Sequence, residues 1–215
     1  MSEKVMLIAG AGTGISLSTA RKFGKEGFKI ALIARNAASL QQYENELNSE
    51  GIEANGFPGD LASEQSLKSA IGSVIKTFGK VDVLLYNAAS GKPGKPTELT
   101  IDDLMSDFKV SVAGALASVK EVLPFMKNGA ILLTGGGLAL QPYADLASLS
   151  IGKAGIRSLA GSLHQELQPK GIYVGTLLVN GYVQEGTWCS ADHIADAFYG
   201  MYENQTEQEV FFQEK

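Results

Sequence analysis

Short apolar runs of strand length alternate along this chain with longer segments in which apolar positions recur at three- and four-residue steps. The first pattern marks buried strands and the second amphipathic helices. Strands are predicted at 5–9, 29–34, 53–57, 81–86, 130–134, 172–178 and, briefly, 209–212, with helices near 14–26, 37–50, 63–79, 99–127, 146–168 and 191–203. Ser63 and Thr100 stand where helix N-caps belong, and Gly27, Gly51, Gly79 and Gly171 where helices should end. Repeated strand-helix-strand units demand parallel strands, right-handed crossovers and helices on both faces. The expectation is an α/β fold: a single Rossmann-type, doubly wound parallel sheet of about seven strands, formed by one domain over residues 1–215.

Composition narrows the class. With 215 residues, 45% hydrophobic and 19% charged, the chain is long enough for one well-buried domain. A net charge of -5 and the lack of any Lys/Arg run argue against a nucleic-acid partner. The N-terminal apolar run has strand length and no small-residue cleavage site after it, so it reads as a strand and not a signal peptide. No apolar stretch approaches the roughly 18 residues of a membrane span, and a cytoplasmic setting is expected. Cys189 has no cysteine to pair with, and with His164 and His193 the only histidines no metal-ligand spacing occurs, so no metal is expected. His164 reads as a structural side chain within a helix.

The richest segment runs from Val5 to Ala20, where an apolar strand passes through a glycine cluster into a helix. Glycines in such a turn let backbone N–H groups and the helix dipole approach a pyrophosphate. Gly10, Gly12 and Gly14 do not complete the G-x-G-x-x-G pattern, because Ile15 holds the last position. They fit the wider G-x-x-x-G-x-G spacing except that Ser16 replaces its last glycine. An ordinary strand-to-helix turn is the alternative. The second strand ends in Ala34-Arg35-Asn36. An acidic residue there would suit the ribose 2′-hydroxyl of NAD, whereas an arginine pairs with the 2′-phosphate of NADP, unless Arg35 is a solvated strand end. Asp60 and Asn87 follow the third and fourth strands, as ligand contacts or as turn residues. The Gly91–Pro96 loop lies where a crevice would open at the carboxyl edge of the sheet.

Taken together these residues resemble the short-chain dehydrogenase/reductase family over nearly the whole chain. That family carries a T-G-x-x-x-G-x-G turn, an aspartate after the third strand, an N-N-A-G segment after the fourth and a Y-x-x-x-K motif on a long helix. Gly10 and Gly14, Asp60, Asn87-Ala88 and Lys153 match it in part. The resemblance implies NADP(H) bound by the turn residues Gly10, Gly12, Thr13, Gly14 and Ile15, by Arg35 and Asn36, by Asp60 and Leu61, by Asn87 and Ala88, and by Lys153. It implies a small carbonyl or alcohol substrate and a homodimer or homotetramer built on the two long helices.

Departures fall on the substrate side. The family's tyrosine position is Leu149, its carbonyl-orienting serine position is Gly136, and its fourth-helix asparagine position is Ser111. A positioned general acid contributes about 10²–10⁴-fold in rate, so its loss costs roughly 3–5 kcal/mol of transition-state stabilisation. Tyr143 and Tyr182 are the candidates for a relocated donor, Tyr143 first. The chain after Gly181 is short, which implies an abbreviated lid. Two readings follow: an NADP(H)-dependent oxidoreductase with an atypical active site, in which Lys153 and Tyr143 carry the chemistry, or a catalytically silent nucleotide-binding or scaffold relative.

Overall fold

A computed structural model describes residues 3–214; residues 1, 2 and 215 of the expected domain lie outside that range. Seven parallel strands form one sheet: β1 (Lys4–Ala9), β2 (Phe28–Ala34), β3 (Ala54–Pro58), β4 (Val83–Tyr86), β5 (Ala130–Thr134), β6 (Tyr173–Val179) and β7 (Glu209–Phe212). Their order across the sheet is β3-β2-β1-β4-β5-β6-β7, with Leu7 registered against Ala31 on one side and Leu84 on the other. The chain runs outward from β1 to β3 and then returns to the far side of β1 for β4. Such a reversal opens a crevice beyond the carboxyl ends of β1 and β4, where ligands bind in this architecture.

Both faces of the sheet are covered, which is why its strands read as continuous apolar runs. Helices α1 (Ile15–Lys25), α2 (Ala37–Ser49) and α7 (Ala191–Asn204) cover one face, burying Phe23, Leu40, Leu47 and Phe198 against β1 and β2 side chains such as Met6 and Ile30. On the other face lie α3 (Glu64–Phe78), α4 (Ile101–Phe108), α5 (Gly114–Val122) and α6 (Ala147–Leu167), whose Ile71, Val119, Ile156 and Leu163 pack on Leu7, Leu84 and Ile131. Each such fully buried aliphatic or aromatic side chain is worth about 1.5–3 kcal/mol.

Local signals set the helix ends. Ser63 accepts from Ser66 N, and Thr100 with Asp103 forms a reciprocal capping box. Gly79 ends α3 at a φ of 75°, left-handed backbone that favours glycine.

The single helix expected over 99–127 is broken. Between α4 and α5 the backbone widens into one π-type turn, Lys109–Ala113, and a 3₁₀ turn, Leu123–Phe125, ends the run. The cause is a side chain from the sheet. Tyr86, at the end of β4, is fully buried and donates its hydroxyl to the Val110 carbonyl. The Gly114 N–H, which in an α-helix would bond Val110, bonds the Lys109 carbonyl instead. Gly114 leaves the room, since a Cβ there would collide with the Tyr86 hydroxyl. Burial pushes the Tyr86 phenol above its ordinary range, so it acts as a neutral donor.

Tyr86→Phe should therefore cost about 1–3 kcal/mol in urea unfolding, the penalty of leaving the part-buried Val110 carbonyl without its donor. A change below about 0.5 kcal/mol would show that the π turn forms without the phenol.

Candidate functional site

The turn after β1 is fixed from two sides. Gly10 N and Ala11 N donate to the Ile33 carbonyl of β2 at 3.0 and 2.9 Å. Gly10 has a φ of 97° and no space for a side chain, because a Cβ would lie 2.7 Å from the Asn87 carbonyl oxygen. Ser16, 1% exposed, donates to the Gly10 carbonyl at 2.7 Å and accepts from Asn87 Nδ2 at 2.7 Å. The serine that stands in for a glycine is thus a pin between the turn and β4. Past it, α1 starts at Gly14 with no side-chain cap and no acidic residue in its first turn. In contrast α2, α3, α4 and α7 are capped by Asn36, Ser63, Thr100 and Ser190. The bare N–H groups and dipole end of α1 favour an anion.

Three cavities run together along the carboxyl edge of the sheet. The first, about 300 Å³, is lined by Gly10, Ala11, Arg35, Asp60, Leu61, Asn87, Ala88 and Ser90 among others. A second, about 320 Å³, lies over Gly10, Gly12, Gly14, Ile15 and Ser16 and shares Gly10 and Asn87 with the first. The third, about 420 Å³, is lined by Ile15, Asn87, Thr134–Leu138, Gln141, Lys153 and Val179–Gly181, and Val183 joins it to the second. The Arg35 guanidinium is exposed and has no ion-pair partner among the described residues. Asp60 turns Oδ1 onto Ala62 N at 3.0 Å, holding its own loop while facing the first cavity. The crevice thus offers a free cation at one end, bare helix N–H groups in the middle and an ammonium at the other end.

Lys153 owes its position to close packing of α6 on the π turn. A Cβ on Gly152 would stand 2.9 Å from Ser111 Cβ, and one on Gly155 2.8 Å from Val112 Cγ2. Small residues at those two points let the helix descend onto the turn. From there Lys153 lies along Gly136, and its Nζ donates to the Thr134 carbonyl at 3.0 Å. Burial pushes its ammonium down to about 8. The Thr134 hydroxyl beside it is buried with no hydrogen-bond partner.

A second cluster holds the loop after β4. The Asp107 carboxylate on α4, 7% exposed, accepts from Ser90 Oγ at 2.6 Å, Ser148 Oγ at 2.6 Å and Lys92 N at 2.7 Å. Burial works to raise this carboxyl, but the Ser148 and Ser90 hydroxyls and the Lys92 N–H outweigh it and hold it below its ordinary value. Ser111 Oγ adds two 3.0 Å bonds to the backbone of Ser90. A Cβ on Gly91 would lie 2.5 Å from Leu149 Cβ, so the loop rests directly on the start of α6.

Most residues expected from sequence to form the site line this crevice. Thr13, Asn36 and Tyr143 line none of the three cavities. Asn36 spends its side chain capping α2 by accepting from Ser39 N at 3.0 Å, and Thr13 is exposed on the turn. Tyr143 is 56% exposed in the loop before α6 and Tyr182 85% exposed after β6. His164 bonds the Val174 carbonyl at 3.0 Å, a structural contact. Sequence reading missed Asp107, Thr134, Asn180 and Val183. None belongs to a recognisable motif. The short segment after Gly181 folds back through Trp188, whose ring lies 5.7 Å from that of Phe212, and carries Val183 over the glycine turn.

Comparison with known proteins places this geometry. The profile of the family described as short chain dehydrogenase matches residues 4–188. A Streptomyces coelicolor protein described as "Putative ketoacyl reductase" is 30% identical over 203 residues, covering 90% of this chain and 76% of that protein. An uncharacterized oxidoreductase of Staphylococcus epidermidis is 26% identical, covering 92% and 90%. Among solved structures, L-sorbose reductase of Gluconobacter frateurii complexed with NADPH and L-sorbose superposes with a TM-score of 0.92 at 21% identity, covering 100% and 96%. A short chain dehydrogenase of Burkholderia cenocepacia in complex with NADP gives 0.90 at 21%, covering 99% and 97%. At these identities the two structures speak to fold.

Asp107→Asn should destabilise the protein by about 1.5–3 kcal/mol at pH 7, because a charged acceptor of three bonds is lost. A carboxyl held low in the folded state stabilises above the unfolded pKa of about 3.9, and that stability disappears as pH falls through the folded value. Urea unfolding followed from pH 7 down to pH 3 should thus show the gap between the two proteins closing. A gap that is constant with pH would contradict the ionised assignment.

Proposed function

Because the chain belongs to the short-chain dehydrogenase family of oxidoreductases, we propose that it is an NADP(H)-dependent member, built as one dinucleotide-binding domain, that handles the substrate oxygen atypically. The observation that carries this reading is the continuous crevice with a guanidinium unpaired among the described residues at one end, a bare helix N-terminus in the middle and Lys153 at the other. The residues present fit an NADP(H) molecule. Arg35 would pair with a 2′-phosphate, and Asp60, Leu61 and Ala88 would enclose the adenosine half. Gly10, Gly12, Gly14 and Ile15 would cradle the pyrophosphate, where Gly12 and Gly14 have open space in place of a side chain. Lys153 would hold the far ribose beside Asn87 and Asn180. When bound, the nicotinamide supplies or accepts a hydride.

The complexes of the Burkholderia and Gluconobacter proteins with NADP and NADPH support the cofactor assignment. The atypical part rests on two positions. Leu149 and Gly136 carry no group able to bond the oxygen of a carbonyl or alcohol substrate. In this reading chemistry needs a donor from elsewhere, and the cavity around Lys153 is where the substrate meets it. The outer faces of α4, α5 and α6 expose Ile101, Met105, Leu116 and Ile151, which supports assembly of a homodimer or homotetramer through these helices. The net charge of -5 supports a cytoplasmic setting without a nucleic-acid partner. No helix among the described residues is long and apolar enough to cross a membrane.

Fluorescence titration with NADPH and NADH tests the cofactor reading. Micromolar NADPH binding, tighter than NADH and weakened about tenfold or more in Arg35→Ala, is expected, a loss of at least ~1.4 kcal/mol. Absence of binding by either nucleotide would refute it and leave the fold as a scaffold.

A further inference from the structure

The third cavity contains one titratable side chain, and it is not a tyrosine. Its wall comes from the glycine turn, the end of β4, the segment after β5, α6 and the end of β6, and of the residues named on it only Lys153 can release a proton near neutral pH. The charged groups on adjoining elements are engaged elsewhere. Arg157, one turn further along α6, is held bidentately by Glu209 at 2.6 and 2.8 Å. Asp107 on α4 is occupied by Ser90, Ser148 and Lys92 N. Tyr86 donates to Val110.

Gly136 borders the lysine. Residues 134 and 136 project to the same side of the chain leaving β5, by the two-residue period of extended backbone. The Lys153 stem passes beside that position: a Cβ on Gly136 would be in ordinary contact with it, 3.4 Å from both Cδ and Cε, and the glycine puts no polar group there. The ammonium sits on the Thr134 carbonyl, which takes one of its three N–H bonds. No other protein acceptor bonds it among the described residues.

We propose that Lys153 is itself the catalytic acid, delivering the proton to the substrate oxygen directly from its ammonium in place of a tyrosine. This rests on the NADP(H)-dependent reading above. Because Leu149 and Gly136 offer no group to polarise the substrate oxygen, the substrate class is a small carbonyl compound electrophilic in itself, such as an activated aldehyde. In the reduction the carbonyl carbon accepts a hydride, with its electron pair, from the reduced nicotinamide. The carbonyl π pair moves to oxygen, an O–H bond forms as an N–H bond of Lys153 breaks, and the neutral amine regains a proton from water. A burial-lowered pKa of about 8 keeps the lysine protonated at neutral pH while bringing it close to the working range of a general acid. Reduction should accordingly be flat below pH 8 and fall toward tenfold per pH unit above it.

The test uses the full chain with NADPH and 4-nitrobenzaldehyde, the alcohol product being quantified by chromatography from pH 6 to 10. Lys153→Arg keeps the cation but cannot release a proton in this range, so at saturating NADPH it should lose at least ~100-fold in turnover. Independently of turnover, the pH dependence of acetic anhydride labelling, read by mass spectrometry, should give Lys153 an apparent pKa near 8 in the nucleotide-free protein. The inference is overturned if Lys153→Arg keeps wild-type turnover, if Lys153 labels with an ordinary lysine pKa, or if the wild type binds NADPH without reducing the aldehyde. It is equally overturned if Tyr143→Phe abolishes turnover that Lys153→Arg retains. Failure of NADPH to bind at all would instead remove the cofactor reading beneath it.

Discussion

The end of β4 is the point on which the site depends. Tyr86 and Asn87 are adjacent residues facing different neighbours, and each makes a bond that no other element could make for it. The Tyr86 phenol takes a carbonyl out of a helical ladder and forces the π turn between α4 and α5. Asn87 reaches the other way, its N–H to the Ala9 carbonyl at 2.9 Å and its amide to Ser16. Through these contacts the turn after β1, the loop after β4 and the helix that carries Lys153 are all referenced to one strand end. A buried polar group left unsatisfied costs about 1–3 kcal/mol, comparable with the burial of a whole aliphatic side chain, so these few bonds fix geometry as firmly as the core does.

From that anchor the crevice divides into two halves of different character. On the side of β1 to β3 the backbone does the work: a glycine turn with no room for a side chain at Gly10, a helix start with no cap, and a cation left unpaired at Arg35. On the side of β5 and β6 the wall is short of functional side chains. Gly136 contributes no side chain and Leu149 meets the Gly91 loop, and the polar residues on this wall include Lys153, Gln141 and Asn180. Asp107 braces the loop between the halves without facing either.

Local chemistry was legible in the sequence and non-local chemistry was not. The alternating runs predicted all seven strands to within a residue or two, and the caps at Ser63 and Thr100 follow from residues three positions apart. The break in the long helix depends on a tyrosine 24 residues away, which no helical period encodes. Ser16 looked like a missing glycine because its role lies in Asn87, far along the chain. Asn36 caps α2 through Oδ1, a role not expected for it from sequence. Asp107 is bound by Ser90, 17 residues before it, and Ser148, 41 residues after it, a pairing that no local pattern encodes.

A crystal structure of the protein with NADP⁺ tests the central claim most directly, because it reads position and not rate. The account predicts density along the whole crevice, with a phosphate group against Arg35, the pyrophosphate over the start of α1 and the second ribose beside Lys153. Density confined to one cavity, or a nucleotide seated away from Arg35 and Lys153, would contradict it.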